Sequence, residues 1–166
     1  MEKSKKVYEI FQKISPYYDK ANDRISLGLQ KSWKETLVKD ILKNIKNDEK
    51  VLDVCCGTGD IAIEIAKKSD AKVVGVDFSE NMLRISKEKS KKINNITLLK
   101  ADAKNIPYEN STFDYVTISF GLRNTDDYEK VINEMVRVGK KGIYILDSFP
   151  VENKIIKPFY KLFFKY

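Results

Sequence analysis

The 166-residue chain has the length of one domain, with enough polypeptide to bury a real core and no room for a two-domain enzyme. Its 42% hydrophobic and 33% charged residues, with 7 Gly and 4 Pro, exclude collagenous, low-complexity and disordered chains. It has no histidine, which removes Ser-His and Cys-His nucleophile pairs and His-ligated metals, and its charge of +7 rests on 27 Lys against 4 Arg, a balance that favours a solvated or membrane-facing surface over nucleic-acid binding.

In chain order, residues 1–48 read as a helical preface. Val7, Ile10, Phe11 and Ile14 share a face until Ser15-Pro16 interrupts them, a polar connection follows, and a second amphipathic segment runs from Gln30 to Asn44 on Trp33, Leu37, Ile41 and Leu42. The charged start MEKSKKVYEIFQK lacks the apolar stretch of a signal peptide, and no run approaches the ~20 residues of a membrane span, so a cytoplasmic protein is expected.

From residue 49 to 150 short apolar runs alternate with helical ones. The strands are VLDVCC, KVVGVDF, ITLLKA, FDYVTISF and GIYILDSF; the helices are DIAIEIAKKS, SENMLRISKEKSKK and DDYEKVINEMVRV. That alternation predicts an α/β fold with a five-stranded parallel sheet covered on both faces. Tyr128, Val131, Ile132, Met135 and Val136 form a stripe expected in the core. Residues 151–166 read as an amphipathic tail broken at Pro158, with aromatics and lysines interleaved as in interfacial segments. The whole chain, 1–166, is expected to be a single domain.

Chemistry concentrates after the first strand, in Asp53-Val54-Cys55-Cys56-Gly57-Thr58-Gly59-Asp60. Gly57-x-Gly59-x-x-Ala62 fits a nucleotide fingerprint, whose glycines let backbone approach a ligand at a helix N-terminus. The second strand ends in Asp77, 18 residues beyond Gly59, where an acid can hold a ribose; the third ends in Asp102, flanked by Ala101 and Ala103, which leave room for an adenine ring. Acids at Asp53, Asp60, Asp77 and Asp102 suit a ligand with a sulfonium and an ammonium better than a pyrophosphate, which points to S-adenosylmethionine. Helix capping is the plainer reading of Asp53 and Asp60. Adjacent Cys55 and Cys56 read as packing residues, and no metal is expected.

These motifs, with FQKISPYYD, NDRISLGL, Trp33-Lys34, VDFSENML, Ala101-Asp102-Ala103, Ile106-Pro107, STFD and above all ISFGLRN at 118–124, resemble the ubiquinone/menaquinone biosynthesis C-methyltransferases, of the class I S-adenosylmethionine-dependent type. The resemblance implies a doubly wound, Rossmann-like sheet of order 3-2-1-4-5 and methyl transfer to a ring carbon of a polyprenylated quinol such as demethylmenaquinol. It implies cofactor contacts at Thr58, Asp77, Asp102, Ala103 and Ser119, to which the motifs add Asp53, Gly57, Gly59 and Phe78, and a quinol face at Arg123 and Asn124. With no histidine, help in removing the quinol proton is expected from Arg123 fixing an anion, from Asp147 or Asp19 as base, or from Tyr18 in a relay. Expected partners are the lipid-soluble quinol, a membrane surface met peripherally, and a second copy covering the fifth-strand edge, with no nucleic acid.

The sequence departs from the family pattern at Gln30, where a histidine is usual, and at Gly139-Lys140-Lys141-Gly142, where a Pro-Gly-Gly turn is usual. It also ends at Tyr166, before two further family strands, so that a methyltransferase of another small molecule, or a shortened non-catalytic cofactor-binding module, stands beside the quinol reading. An NAD(P)-linked oxidoreductase is disfavoured by the clustered acids.

Overall fold

The computed structural model describes residues 9–10, 13–26 and 28–147. Val7, Phe11, Leu27 and the amphipathic tail at 151–166 lie outside the described residues.

A single 3-10 turn, Ser15–Tyr17, opens on the backbone break at Pro16 and passes directly into helix α1, Tyr18–Ile25. The polar connection expected here is therefore helical. Its few apolar residues hid it, while Asp19 in the first turn and Arg24 in the last complement the helix dipole. Helix α2, Leu29–Asn44, follows Gly28, which takes a left-handed φ of 79° that any side chain would strain. Leu37, Val38 and Ile41 are buried, but Trp33 is 45% exposed and Leu42 only partly covered, so the expected stripe narrows toward the helix middle.

The α/β core runs β1 (Lys50–Val54), α3 (Asp60–Lys68), β2 (Lys72–Asp77), α4 (Glu80–Ser90), β3 (Ile96–Lys100), β4 (Phe113–Ser119), α5 (Tyr128–Val138) and β5 (Gly139–Leu146). The sheet order is β3-β2-β1-β4-β5, and every neighbouring pair is parallel. Alternation along the strands sends Val51 and Val73 to a core under α2 and α3, with Ile41, Ile61 and Ile65. Leu52, Val54, Val76, Val116 and Ile118 face the opposite side, against Val131, Met135 and Val138 of α5.

Two expectations need correction. The stripe on α5 is narrower than its spacing suggests: Val131, Met135 and Val138 are fully buried, whereas Tyr128 and Val136 are 58% and 57% exposed. Tyr128 is the first helical residue, and Val136 turns toward solvent beside the buried Met135. The fifth strand also begins three residues early. Gly139-Lys140-Lys141-Gly142 is not a turn but the start of β5, entered straight from α5 at Gly139. A Cβ at Gly139 would come within 3.0 Å of the Met135 carbonyl oxygen, which is why the helix-to-strand corner holds glycine. The register slips there, Phe113 facing Gly139 but Tyr115 facing Gly142, so the lysine pair absorbs an extra residue as a bulge. Lys141 in this bulge pairs with Glu49 and with Asp114 at 3.2 Å.

Candidate functional site

At their carboxyl ends β1 and β4 both leave the sheet through a non-glycine residue in left-handed conformation, Cys55 (φ 55°) and Phe120 (φ 54°). Such a residue costs about 1 to 2 kcal/mol, so two on adjacent strands mark a place where the chain is forced apart. Here the strand order reverses, β1 leading to β2 on one side and β4 to β5 on the other, and the crevice between is where open α/β sheets bind ligands.

A cavity occupies that crevice. Its floor is Cys55, Val76, Ser119 and Gly121; its walls are Gly57, Asp77, Phe78 and Met82 on one side, and Ala101, Asp102, Ala103 and Lys104 beyond β3. Tyr18, Phe120, Asn124, Thr125 and Asp126 complete it. A smaller cavity continues toward the start of α3, sharing Tyr18, Cys55, Gly57, Ser119 and Phe120 and adding Gln30, Lys34, Asp53, Thr58 and Asp60.

The two loop glycines have different tasks. Gly57 (φ 55°) lines both cavities, and a Cβ there would meet no protein atom within 4 Å. Gly59 (φ 86°) faces away: its Cβ would lie 2.1 Å from Ser86 Oγ, so it lets α3 pack on α4, and it lines neither cavity. Spacing alone, which groups Gly59 with the cofactor residues, cannot separate a glycine that makes room for a ligand from one that makes room for a helix.

Asp77 fastens the loop. One carboxylate oxygen accepts the Gly57 N–H and the other the Ser79 N–H, both at 2.8 Å. Burial pushes its carboxyl above the usual range even though these bonds oppose the shift. Asp102 accepts the Lys104 N–H at 2.9 Å and lies more open, while Ala103 and Phe78 line the cavity. Ser119 Oγ is buried and, among the described residues, has no hydrogen-bond partner. An unpaired buried hydroxyl at the junction of two cavities fits a site completed by a ligand.

Asp53 borders the smaller cavity from within the sheet. It is fully buried, accepts the Ala62 N–H at 3.2 Å and so caps α3 from the strand, and burial pushes its pKa up to about 8, against the pull of that bond and of Lys34. Burial thus favours its neutral form. Asp60 and Asp19 are engaged otherwise. Lys34 donates to Asp60 at 3.0 Å, and Lys89 donates to Asp60 at 3.1 Å and to Asp19 at 2.7 Å. Thr58 Oγ1 also donates to Asp19, at 2.8 Å. Burial would raise the Asp60 carboxyl, but the two ammonium groups outweigh it and hold it low. Asp60 is thus an ion-pair centre rather than a cap, and Asp19 lies outside the larger cavity, held by Lys89 and Thr58.

The remaining predicted residues gather at the rim after β4. Asn124 lines the cavity and donates to the Phe120 carbonyl at 3.1 Å. The Arg123 backbone N–H donates to Asp147 at 3.0 Å, its guanidinium reaches the other carboxylate oxygen at 3.5 Å, and its carbon lies 5.2 Å from the centre of the Phe120 ring. The Asp147 side chain is buried in that contact. Neither Arg123 nor Asp147 lines the cavity itself. Tyr18 reaches it from α1 and bounds both chambers. The sequence pattern does not reveal Lys34 and Lys89, whose partners are 26 to 70 residues away, nor that Cys55, expected to pack, lines the cavity. A cysteine at the end of a strand, just before a glycine loop, was the available signal.

A sequence model of the ubiE/COQ5 methyltransferase family matches residues 1–166. The chain belongs to the ubiE/COQ5 methyltransferase family. Within it, the demethylmenaquinone methyltransferase of Staphylococcus saprophyticus is 44% identical over 168 residues, 99% of this chain and 71% of that protein. The Staphylococcus aureus protein of the same name is 43% identical over 164 residues, 96% of this chain and 67% of that protein. Among solved structures, a SAM-dependent methyltransferase from Aquifex aeolicus is 27% identical with TM-score 0.62, covering 70% of this chain and 66% of that one. The YcgJ protein of a Bacillus species, at 21% identity and TM-score 0.66 over 77% of this chain and 57% of that one, shares the fold. The ubiE/COQ5 chain thus has the Rossmann-like methyltransferase sheet that its motifs implied.

Proposed function

We propose that this ubiE/COQ5 methyltransferase binds S-adenosylmethionine in the paired cavities and methylates a ring carbon of a demethylmenaquinol-type quinol. The observation that carries the reading is the unpartnered Ser119 hydroxyl at the junction of a mostly apolar chamber, ended by Asp77 and Asp102, with a polar one beside the glycine loop. Those residues fit the ligand: Asp77 and Asp102 stand where ribose hydroxyls and the adenine amine would be held, Ala101 and Ala103 leave width for a ring, and Thr58 and Gly57 border the polar end. When bound, the ligand supplies an electrophilic methyl on a sulfonium that is already a good leaving group.

The protein's own work is then to orient and to keep water out. Asp77 fixes the loop that would hold the donor, and Tyr18 covers it. Arg123, braced by Asp147 and stacked near Phe120, carries a fixed positive charge at the rim, where it would stabilise a quinol oxygen that has lost its proton. Asp147 is bound up in positioning Arg123, which sets Arg123 and Asn124 ahead of Asp147 and Asp19 as the residues nearest the chemistry. In-line positioning of methyl and carbon supplies most of the rate. The homologue names support the quinol. A lipid-dissolved substrate and the chain's charge of +7 support collection at an anionic membrane surface, and no helix among the described residues is long and apolar enough to cross a membrane. β5 pairs only with β4 among the described residues and exposes Ile143 and Ile145, an edge suited to a second copy.

The test is transfer of labelled methyl from S-adenosylmethionine to a short-chain demethylmenaquinol. Wild type should turn over, Arg123→Ala should bind the donor normally but lose turnover, and Ser119→Ala should weaken donor binding by about 1 kcal/mol. Donor binding with no turnover on any quinol would favour the non-catalytic module.

A further inference from the structure

Helix α1 borders the cofactor cavity through Tyr18. Among the described side chains of α1 none is fully buried, and the surrounding preface exposes Ile10, Ile14, Tyr17 and Leu29. Polar contacts through Asp19 tie α1 down. Asp19 accepts from Thr58 of the glycine loop and from Lys89 in the last turn of α4, Lys89 continues to Asp60, and Asp60 to Lys34 of α2. The chain of contacts Thr58–Asp19–Lys89–Asp60–Lys34 thus joins α1, α2, α3 and α4 at one point beside the smaller cavity. Tyr18, the neighbour of Asp19, bounds both chambers.

We infer that Lys89 is a positioning residue: with Asp19 it forms a latch that seats α1, and so Tyr18, over the bound methyl donor, and release of the latch is the route by which donor enters and product leaves. The inference rests on the donor-binding reading above. Its physical basis is that an element held by a few half-exposed ion pairs opens more readily than one held by a core. Lys89, Asp60 and Asp19 are each between a third and two fifths exposed, so salt reaches them. Opening should therefore be faster at high ionic strength, whereas the buried sheet beneath is indifferent to it.

The chain carries its own reporter. Trp33 is its one tryptophan, and the ring lies 6.3 Å from that of Phe120, a cavity wall. Hydrogen exchange of the ligand-free protein, followed at residues 18–25, tests the latch without any ligand. Lys89→Met should exchange about three- to tenfold faster there, with α5 unchanged, and Lys89→Arg should restore the wild-type rate. Stopped-flow Trp33 fluorescence with S-adenosylhomocysteine then tests its purpose. Release should accelerate by a similar factor in Lys89→Met and lose most of the salt dependence seen in wild type, while Lys43→Met, which breaks the unrelated surface pair with Asp40, should change neither. Exchange at 18–25 that is the same in Lys89→Met and wild type overturns the latch, and so does a release rate equally altered in Lys43→Met. If wild type binds no S-adenosylhomocysteine, the donor reading fails, and the exchange result alone decides whether Lys89 holds α1.

Discussion

Asp53 and Asp77 end neighbouring strands and are both buried, yet they hold different numbers of backbone N–H groups. Asp77 receives those of Gly57 and Ser79 at 2.8 Å and that of Phe78 besides, whereas Asp53 receives one at 3.2 Å, and burial is strong enough to carry Asp53 to about 8. An acid whose folded pKa is raised binds its proton on folding, so its stabilising contribution is complete below the ordinary value of 3.8 and is lost as pH climbs through about 8. Asp53→Asn cannot titrate and keeps an acceptor for Ala62. Its thermal midpoint minus that of wild type should therefore grow more positive between pH 6 and pH 9; parallel curves would show that Asp53 is ionised in the fold. The glycines offer a second comparison at this scale. Gly59→Ala must take φ 86° and drive a methyl onto Ser86, which should cost about 2 to 4 kcal/mol in denaturant unfolding. Gly57→Ala meets no atom, so it should cost only about 1 to 2 kcal/mol of backbone strain while titration shows markedly weaker S-adenosylhomocysteine binding. Similar ligand loss in both variants, scaled to stability, would deny Gly57 its place in the cavity wall.

Elements are joined in this molecule by single polar side chains at their ends. Asn95, just before β3, donates its amide to the carbonyls of Ala66, Ser69 and Ala71, each at 3.0 Å, and so ties the end of α3 and the start of β2 to the edge strand. Arg137 does the same from α5, reaching the Ile106 and Tyr108 carbonyls while gripping Glu134. Asn95→Ala should lower unfolding free energy by about 1 to 3 kcal/mol, and Asn95→Asp by more, since a carboxylate would face three carbonyl oxygens with nothing to donate. Equal stability of the Asp variant and wild type would mean that the three carbonyls are satisfied by other donors. Such ties explain what could be read beforehand. Period-two and period-3.6 patterns located all five strands and the three core helices, because those patterns are local. The bulge at Lys140–Lys141, the helix at Tyr18–Ile25 and the clasp on Asp19 depend on partners far along the chain, and no window of sequence contains them. The site divides in the same way: Asp77, Asp102 and Ala103 follow from strand ends and Ser119 from the family resemblance, whereas the raised pKa of Asp53 follows only from how deeply it is enclosed.

Over the whole molecule the sheet is two halves, β3-β2-β1 and β4-β5, that share hydrogen bonds along β1 and β4 and part at their tips. The site lies in the parting, so its floor is made by whatever the two tips can fit between them. Each tip contributes one residue to the closest point: a Cβ on Gly121 would stand 2.6 Å from the Cys55 Cβ and 3.2 Å from its sulfur. Only one side chain can occupy that seam, and it is now the one carried by β1. Drift at these positions is therefore ordered. Gly121→Ala first meets Cys55 and should unfold or misshape the site, whereas Cys55→Gly first relieves the left-handed backbone at 55 and vacates the space, after which Gly121→Ala becomes tolerable. Thermal midpoints of the two single variants and the double should show the second change harmful alone and near neutral on the first, a coupling of sign. The two strand tips behave as one inherited unit, and a lineage can pass from one filling of the seam to the other only by way of an emptied intermediate.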